Sequence, residues 1–511
     1  MATAFATAGS GLDPLGALEA AAGVLFSPTG FLLVVAATLF GLLLGVIPGL
    51  GGPVALSLLI PVTFATDPLV AFAVMAATLG GVNFGGSVTA IVLNTPGTAP
   101  NAATLFDGHP MAKQGRAVDA IAVSAVSSAA GALLGLALFV VSLPLVIPVA
   151  LAFWSPEYFW LAVVGLATIA VASTGSTLDD LLAGAAGVML TFHGISAVTG
   201  GIRFTGGTEY LRGGVPLVPV LIGLFAVAQM ARSFGTGAVV DAPQTGGNRI
   251  DGVRTTLHRW RDVLTAGSIG WVVGVIPGVG GTVANFIAYL RAKRTAPNPE
   301  AYGTGEVGGV IASEAANDAK DGGSLIPTLA LGIPGSASMA VLLGAFLLHG
   351  LTPGPLLLSD GLDVVFVIVI AFVLSNLLTS AFGLLLSDRL AAISRVPTTI
   401  LVPVVLSTAV LGAFAVRGEF ADIVVAAVFG LVGYVLLLAD ISRVALIIGM
   451  VLGGIAEENF HRSLQVSGGS YDIFFVRPLS AVLVVALLCV LCLPLVDALR
   501  NRDDQTGDDA E

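Results

Sequence analysis

The chain has 511 residues, of which 56% are hydrophobic and only 10% charged, with a formal net charge of −11 and a mean hydropathy of +0.98. A soluble globular chain carries about 25% charged residues, so a soluble fold is excluded, and the acidic balance makes nucleic acid an unsuitable partner. The apolar runs are too long and uniform for the short alternating strands of a β-barrel, which leaves a polytopic helical membrane protein.

Residues 1–29 lack the positive n-region of a cleaved signal and are expected to remain as an extramembrane or interfacial segment. Runs that reach the roughly 20 residues of a helical span follow at 30–47, 119–143, 157–173, 214–231, 363–387, 420–439 and 476–496. With shorter candidates such as 178–199, they predict an all-α polytopic membrane protein of roughly ten to twelve transmembrane helices, some re-entrant or broken. The expected order is membrane repeat 1 over 30–232, a cytoplasmic linker over 233–262 and membrane repeat 2 over 263–475. A C-terminal transmembrane helix over 476–499 and an acidic cytoplasmic tail over 500–511 complete it. Cys489 and Cys492 share the last apolar run with no histidine close by, and read as packing or lipid-facing positions.

The division into repeats comes from two ordered motifs. Gly45-Val46-Ile47-Pro48-Gly49-Leu50-Gly51-Gly52 returns as Gly274-Val275-Ile276-Pro277-Gly278-Val279-Gly280-Gly281, an offset of 274 − 45 = 229. Gly85-Gly86-Ser87 then matches Gly322-Gly323-Ser324, and Asn94-Thr95-Pro96-Gly97-Thr98 matches Gly332-Ile333-Pro334-Gly335-Ser336, at offsets of 322 − 85 = 237 and 334 − 96 = 238. Basic clusters at 113–116, 249–261, 291–294 and 500–502 mark cytoplasmic loops. The stretch 263–290, with bases at both ends, is too short for two crossings, which need about 40 residues, so a hairpin broken at Pro277-Gly278 is predicted. Equivalent flanks in the first half carry no bases, so the two halves are predicted to be inverted repeats.

Each Pro-Gly break ends one half-helix and opens the N-terminus of another, whose free N–H groups attract a carboxylate. The candidate substrate-binding residues of the first half are Pro48, Gly49, Gly51, Gly52, Gly85, Gly86, Ser87, Asn94, Thr95, Pro96, Gly97 and Thr98. Those of the second half are Pro277, Gly278, Gly280, Gly281, Gly322, Gly323, Ser324, Pro334, Gly335 and Ser336. They describe an anion site of amides and short hydroxyls without a full cationic residue, which suits release. Gly41, Gly45 and Gly49, like Gly270, Gly274 and Gly278, also fit close helix packing, and both roles can coexist. Glu314 and Asn317, one helix face apart by i and i+3, are candidates for holding a coupling sodium ion or proton, with Asn83 in a similar polar role. Asp318, Lys320 and Asp321 fit either membrane depth or a solvated interfacial loop. The five histidines show no metal-ligand spacing, neither repeated serine has a base nearby, and there is no P-loop, so neither an enzyme nor a resident metal or cofactor is expected.

Several ordered stretches add a resemblance: the Ile-Pro-Gly pair, Leu93–Ala99, Asp107-Gly108-His109-Pro110-Met111-Ala112-Lys113-Gln114-Gly115, Pro156–Phe159, Val220–Phe225, Glu314–Asn317 and Leu331–Ser336. Over about residues 30–495 the chain resembles the large membrane subunit of tripartite tricarboxylate transporters, the TctA family. The resemblance implies secondary active uptake of tricarboxylates or related carboxylates across the cytoplasmic membrane, driven by sodium or protons. It also implies an extracytoplasmic solute-binding protein and a small membrane subunit as partners. Asp318, Lys320 and Asp321 depart from a pattern in which relatives tend to have Asn and small residues. A passive anion channel and a membrane scaffold without transport are the alternatives.

Overall fold

The computed structural model describes residues 13–47, 49–64, 66–172, 176–196, 198–233, 246–278, 280–393, 398–489 and 491. Pro48, Cys492 and the acidic tail lie outside the described residues. Among the described residues, six helices are long and apolar enough to cross a membrane: Pro28–Gly45, Pro68–Leu93, Ala117–Leu151, Leu362–Leu386, Phe420–Leu438 and Arg443–Val466. Among the described residues, the strand content is one two-residue antiparallel ribbon, Gly194–Ile195 with Ile202–Arg203. This is an all-α membrane protein.

Local sequence sets where the early helices begin. Asp13, Ser27 and Asp67 each cap a helix by accepting a first-turn N–H, and each is followed by proline, whose missing N–H would have no intrahelical partner there. Nine helices position the site and are numbered here in chain order. The first half contributes α1 (Pro28–Gly45), α2 (Gly52–Thr63), α3 (Pro68–Leu93) and α4 (Ala117–Leu151). From the second half come α5 (Trp260–Val275), α6 (Gly280–Thr295), α7 (Val307–Leu325), α8 (Ala337–Leu348) and α9 (Leu362–Ile393).

The repeated phrases are where helices stop. α1 ends at Gly45 and α2 starts at Gly52; α5 ends at Val275 and α6 starts at Gly280. At 1.5 Å per residue, α5 and α6 are each about 24 Å long and α2 and α8 about 18 Å, against about 30 Å of hydrocarbon. Residues 260–295 therefore form two short helices that pack on each other.

Three stretches differ from their expected spans. The helix at 178–199 stops at Thr191, where the chain turns through Gly194 (φ +99°) into the ribbon. The span at 214–231 runs Leu217–Ser233 but widens into a π turn over Ile222–Val227. The expected linker is partly helical, Arg249–His258, and α5 already begins at Trp260.

The chain divides into two compact units, and each draws on both halves of the sequence. The first, Met1–Pro148 with Val218–Tyr434, holds α1–α3, α4 as far as Pro148 and α5–α9 around buried Phe84, Val88, Ile91, Met111, Ile121 and Ile311. The second is Val149–Leu217 with Val435–Glu511, in which Ser155–Ala172, Thr177–Thr191 and Arg443–Val466 pack together. Its buried Glu157 accepts from Arg477 at 2.6 Å and Ser480 at 2.7 Å, and Arg203 pairs with Glu457.

Candidate functional site: broken helices around a buried polar network

Glycine lets the core helices touch backbone to backbone. A Cβ on Gly41 would lie 2.1 Å from the carbonyl oxygen of Thr78, and one on Gly45 2.3 Å from that of Val82, so α1 lies directly on α3. In the second half, Gly270 meets Ala316 O and Gly274 meets Lys320 O, both at 2.3 Å, so α5 lies on α7 in the same way. The partners keep one offset: 316 − 78 = 238 and 320 − 82 = 238. The close-packing reading of these glycines is thus realised, and Gly85 and Gly323 complete the seams against Gly45 and Gly274.

The breaks meet one another. Gly49, at φ +85°, donates its N–H to Gly97 O at 3.1 Å, and Gly97 donates to Gly86 O at 3.3 Å. Gly51 lies beside Thr98. Across the halves, a Cβ on Gly52 would lie 2.3 Å from Ser338 Oγ, while one on Gly281 would lie 3.0 Å from Pro100 Cγ. These two contacts are reciprocal, because 281 − 52 = 229 and 338 − 100 = 238 are the two repeat offsets. The following helices make a related pair of contacts, although 375 − 131 = 244 departs from both offsets. Gly131 of α4 packs on Ala315 of α7, and Ser375 of α9 donates to Ala77 O of α3 at 2.5 Å, where 315 − 77 = 238.

Other candidates stand apart from this junction. Asn94, a left-handed helix end at φ +53°, and Thr95 are exposed, and Thr95 bonds only to Leu93 O. Pro96 is half-buried, as are Pro277 and Gly278 in the turn before α6, where Gly280 takes φ +73°. Pro334 and Gly335 are buried, Gly335 donating to Thr328 Oγ1 at 3.2 Å, and Ser336 caps α8 by accepting from Met339 N. A Cβ on Gly322 would strike Gly135.

Between the seams lies a buried polar network centred on Glu314, which is 0% exposed. Its Oε2 accepts from Ser87 at 2.7 Å and from Ser124 and Ser128 at 3.0 Å each, and its Oε1 accepts from Thr104 at 2.5 Å. Asn101 Nδ2 donates to Ser87 Oγ at 2.8 Å, and Thr98 donates to Asn101 Oδ1, which ties the second break of the first half to Glu314. Asn83 Nδ2 bridges Asp321 Oδ2 at 2.6 Å and Asp318 Oδ1 at 3.2 Å. Asn317 is 1% exposed, and neither of its amide atoms has a hydrogen-bond partner among the described residues.

One open choice closes here and one expectation changes. Asp318, Lys320 and Asp321 are buried on α7, not solvated in a loop, because α7 runs unbroken through them. The junction also has a full cation, Lys320, whose Nζ lies 2.5 Å from Asp321 Oδ1. Sequence reasoning passed over Asn101, Thr104, Ser124 and Ser128. The available signal was Ser124, Ser127 and Ser128 crowded into one turn of an otherwise apolar span.

A second buried carboxylate sets the position of α7. Asp107 Oδ1 accepts from the N–H groups of Gly303, Gly305 and Glu306 at 2.8–2.9 Å, and Tyr289 donates to its Oδ2 at 2.9 Å. In that loop the Tyr302 phenol is pushed up to about 12 by burial and then by the Glu306 charge, so it stays protonated at neutral pH.

The sequence pattern of the tripartite tricarboxylate transporter TctA family matches residues 31–448. The chain is 32% identical over 478 residues to an uncharacterized 52.8 kDa protein in the TAR-I ttuC' 3' region of Agrobacterium vitis, covering 91% of this chain and 93% of that protein. It is 33% identical over 237 residues to an uncharacterized protein in the TAR-II ttuC' 3' region of the same organism, covering 46% of this chain and 98% of that protein. No solved structure matches.

Proposed function

The chain belongs to the tripartite tricarboxylate transporter TctA family, a transporter component, and from that premise we propose that it is the membrane subunit that moves a carboxylate along a sodium or proton gradient. The reciprocal contacts Gly52 with Ser338 and Gly281 with Pro100 carry this reading. A two-fold relation between two copies is the simplest geometry in which residue i of one copy meets j of the other and i of the other meets j of the first. With the opposed charge of equivalent loops, it supports inverted repeats whose broken helices share one central site.

The anion is held by N–H groups opened at the breaks, chiefly around Gly49–Gly52, Gly97–Thr98, Gly280–Gly281 and Gly335–Ser336. Helix starts at α2, α6 and α8 add positive dipole ends. Glu314, Asn83 and Asn317 serve the coupling cation, since ionisable and unpaired polar groups at membrane depth are costly unless they are used. Rocking of one repeat-derived bundle against the other supplies alternating access in the cytoplasmic membrane. An extracytoplasmic solute-binding protein and a small membrane subunit complete the system.

The test is reconstituted uptake with mono-, di- and tricarboxylates under imposed sodium and proton gradients. Accumulation against the carboxylate gradient, with counterflow of labelled substrate, is the expected result. Conduction without counterflow would establish the channel instead, and no flux under any gradient would leave only a scaffold.

A further inference from the structure

Lys320 is placed where a purely structural ion pair is hard to justify. A Cβ on Gly281 would lie 2.3 Å from Lys320 Cε, so the lysine stem rests on the opening turn of the sixteen-residue α6. Cations are favoured at helix C-termini and disfavoured at N-termini. A buried ammonium there is relieved by an anion lying between it and the helix.

The other end of the cluster is short of positive charge. Glu314, Asp318 and Asp321 are three buried carboxylates and Lys320 one ammonium, a formal −3 + 1 = −2. Among the described residues, Asp318 Oδ2 has no hydrogen-bond partner, nor has either amide atom of Asn317. Positions 314, 317, 318 and 321 are spaced i, i+3, i+4 and i+7 on α7 and share a face, with Asn317 one turn from Asp321. Buried polar atoms without partners are few in native proteins, and an ion or water is the usual explanation.

We propose that Lys320 is a built-in counter-ion occupying the seat of a coupling sodium ion. Sodium entering among Asn317 Oδ1, Asp318 and Asp321 displaces the ammonium, which turns to the carboxylate held at the start of α6. This rests on the carrier reading above. A proton would need one carboxylate, whereas the unpartnered amide oxygen of Asn317 adds the kind of ligand that a hard cation takes. Without sodium, Lys320 stays pinned to Asp321 and the anion site is weak. Each ligand therefore raises the affinity of the other by the same factor.

The experiment measures binding of radioactive sodium and of labelled citrate to the purified full chain in nanodiscs. In the unaltered protein, saturating citrate should tighten sodium binding at least tenfold, and saturating sodium should tighten citrate binding by the same factor. In Lys320→Gln, sodium should bind at least tenfold more tightly without citrate, citrate at least tenfold more weakly, and the mutual effect should vanish. Asp318→Asn should retain no sodium. Independent isotherms in the unaltered protein overturn the proposal without recourse to any variant, as do unchanged isotherms in Lys320→Gln. Citrate binding that responds to pH while no sodium is retained also overturns it. A protein that binds no carboxylate of any class fails earlier, at the carrier reading itself.

Discussion

α3 and α7 carry matching Gly-Gly-Ser motifs, and they differ in what they bury. Both lie on a glycine-bearing partner, α1 or α5, and both carry Gly-Gly-Ser toward the C-terminal end. Yet α3 buries Asn83 among apolar residues and short hydroxyls, while α7 buries Glu314, Asn317, Asp318, Lys320 and Asp321. Even the shared serine diverges. Ser87 donates to Glu314 across the junction at 2.7 Å, with Asn83 O one turn back at 3.2 Å, whereas Ser324 donates to Lys320 O one turn back on its own helix at 2.6 Å. The seam geometry is thus common to the two helices, and buried charge belongs to α7. Donors of the first half, Asn83, Ser87, Thr104, Ser124 and Ser128, form the wall against which the carboxylates of α7 are held.

The largest effect should test the shared geometry. Gly45→Leu and Gly274→Leu both drive a side chain into a backbone carbonyl and should each destabilise by about 3 kcal/mol or more, with uptake lost. Thermal unfolding in detergent checks this, and a copy that tolerates leucine would break the equivalence. Next comes the unshared charge. Glu314→Gln replaces an acceptor of four hydroxyl donors with an amide that offers one acceptor oxygen; uptake should fall at least tenfold with a shifted sodium or pH profile. An unchanged profile removes Glu314 from coupling. The smallest contrast sharpens the comparison most. Ser87→Ala should cost about 1 kcal/mol and Ser324→Ala less than about 0.5 kcal/mol, so equal losses in unfolding midpoint would contradict the asymmetry.

Much of this was legible in the chain because the breaks and the glycine spacing are local. Pro277-Gly278 interrupts a helix wherever it falls, and the offsets 229 and 238 fix which glycine meets which carbonyl. The membrane class follows from composition alone. The hydroxyl cage was less legible, because Thr104, Ser124 and Ser128 reach Glu314 from 186 to 210 residues away. No spacing rule joins serines of one span to a glutamate of another. Lys320 stayed open in the sequence for a related reason: it sits among charges, and the seam with α5 and the turn at Gly281 that enclose it are distant in the chain.

The glycine seams have an electrical consequence. Where α1 touches α3, and α5 touches α7, carbonyl oxygens lie almost against the neighbouring Cα atoms, closer than any water file could pass. A carrier of the kind proposed above must not let ions slip alongside its cargo, and such joints would serve it as gaskets. Removing that fit should appear first as leak current, even in molecules that still fold.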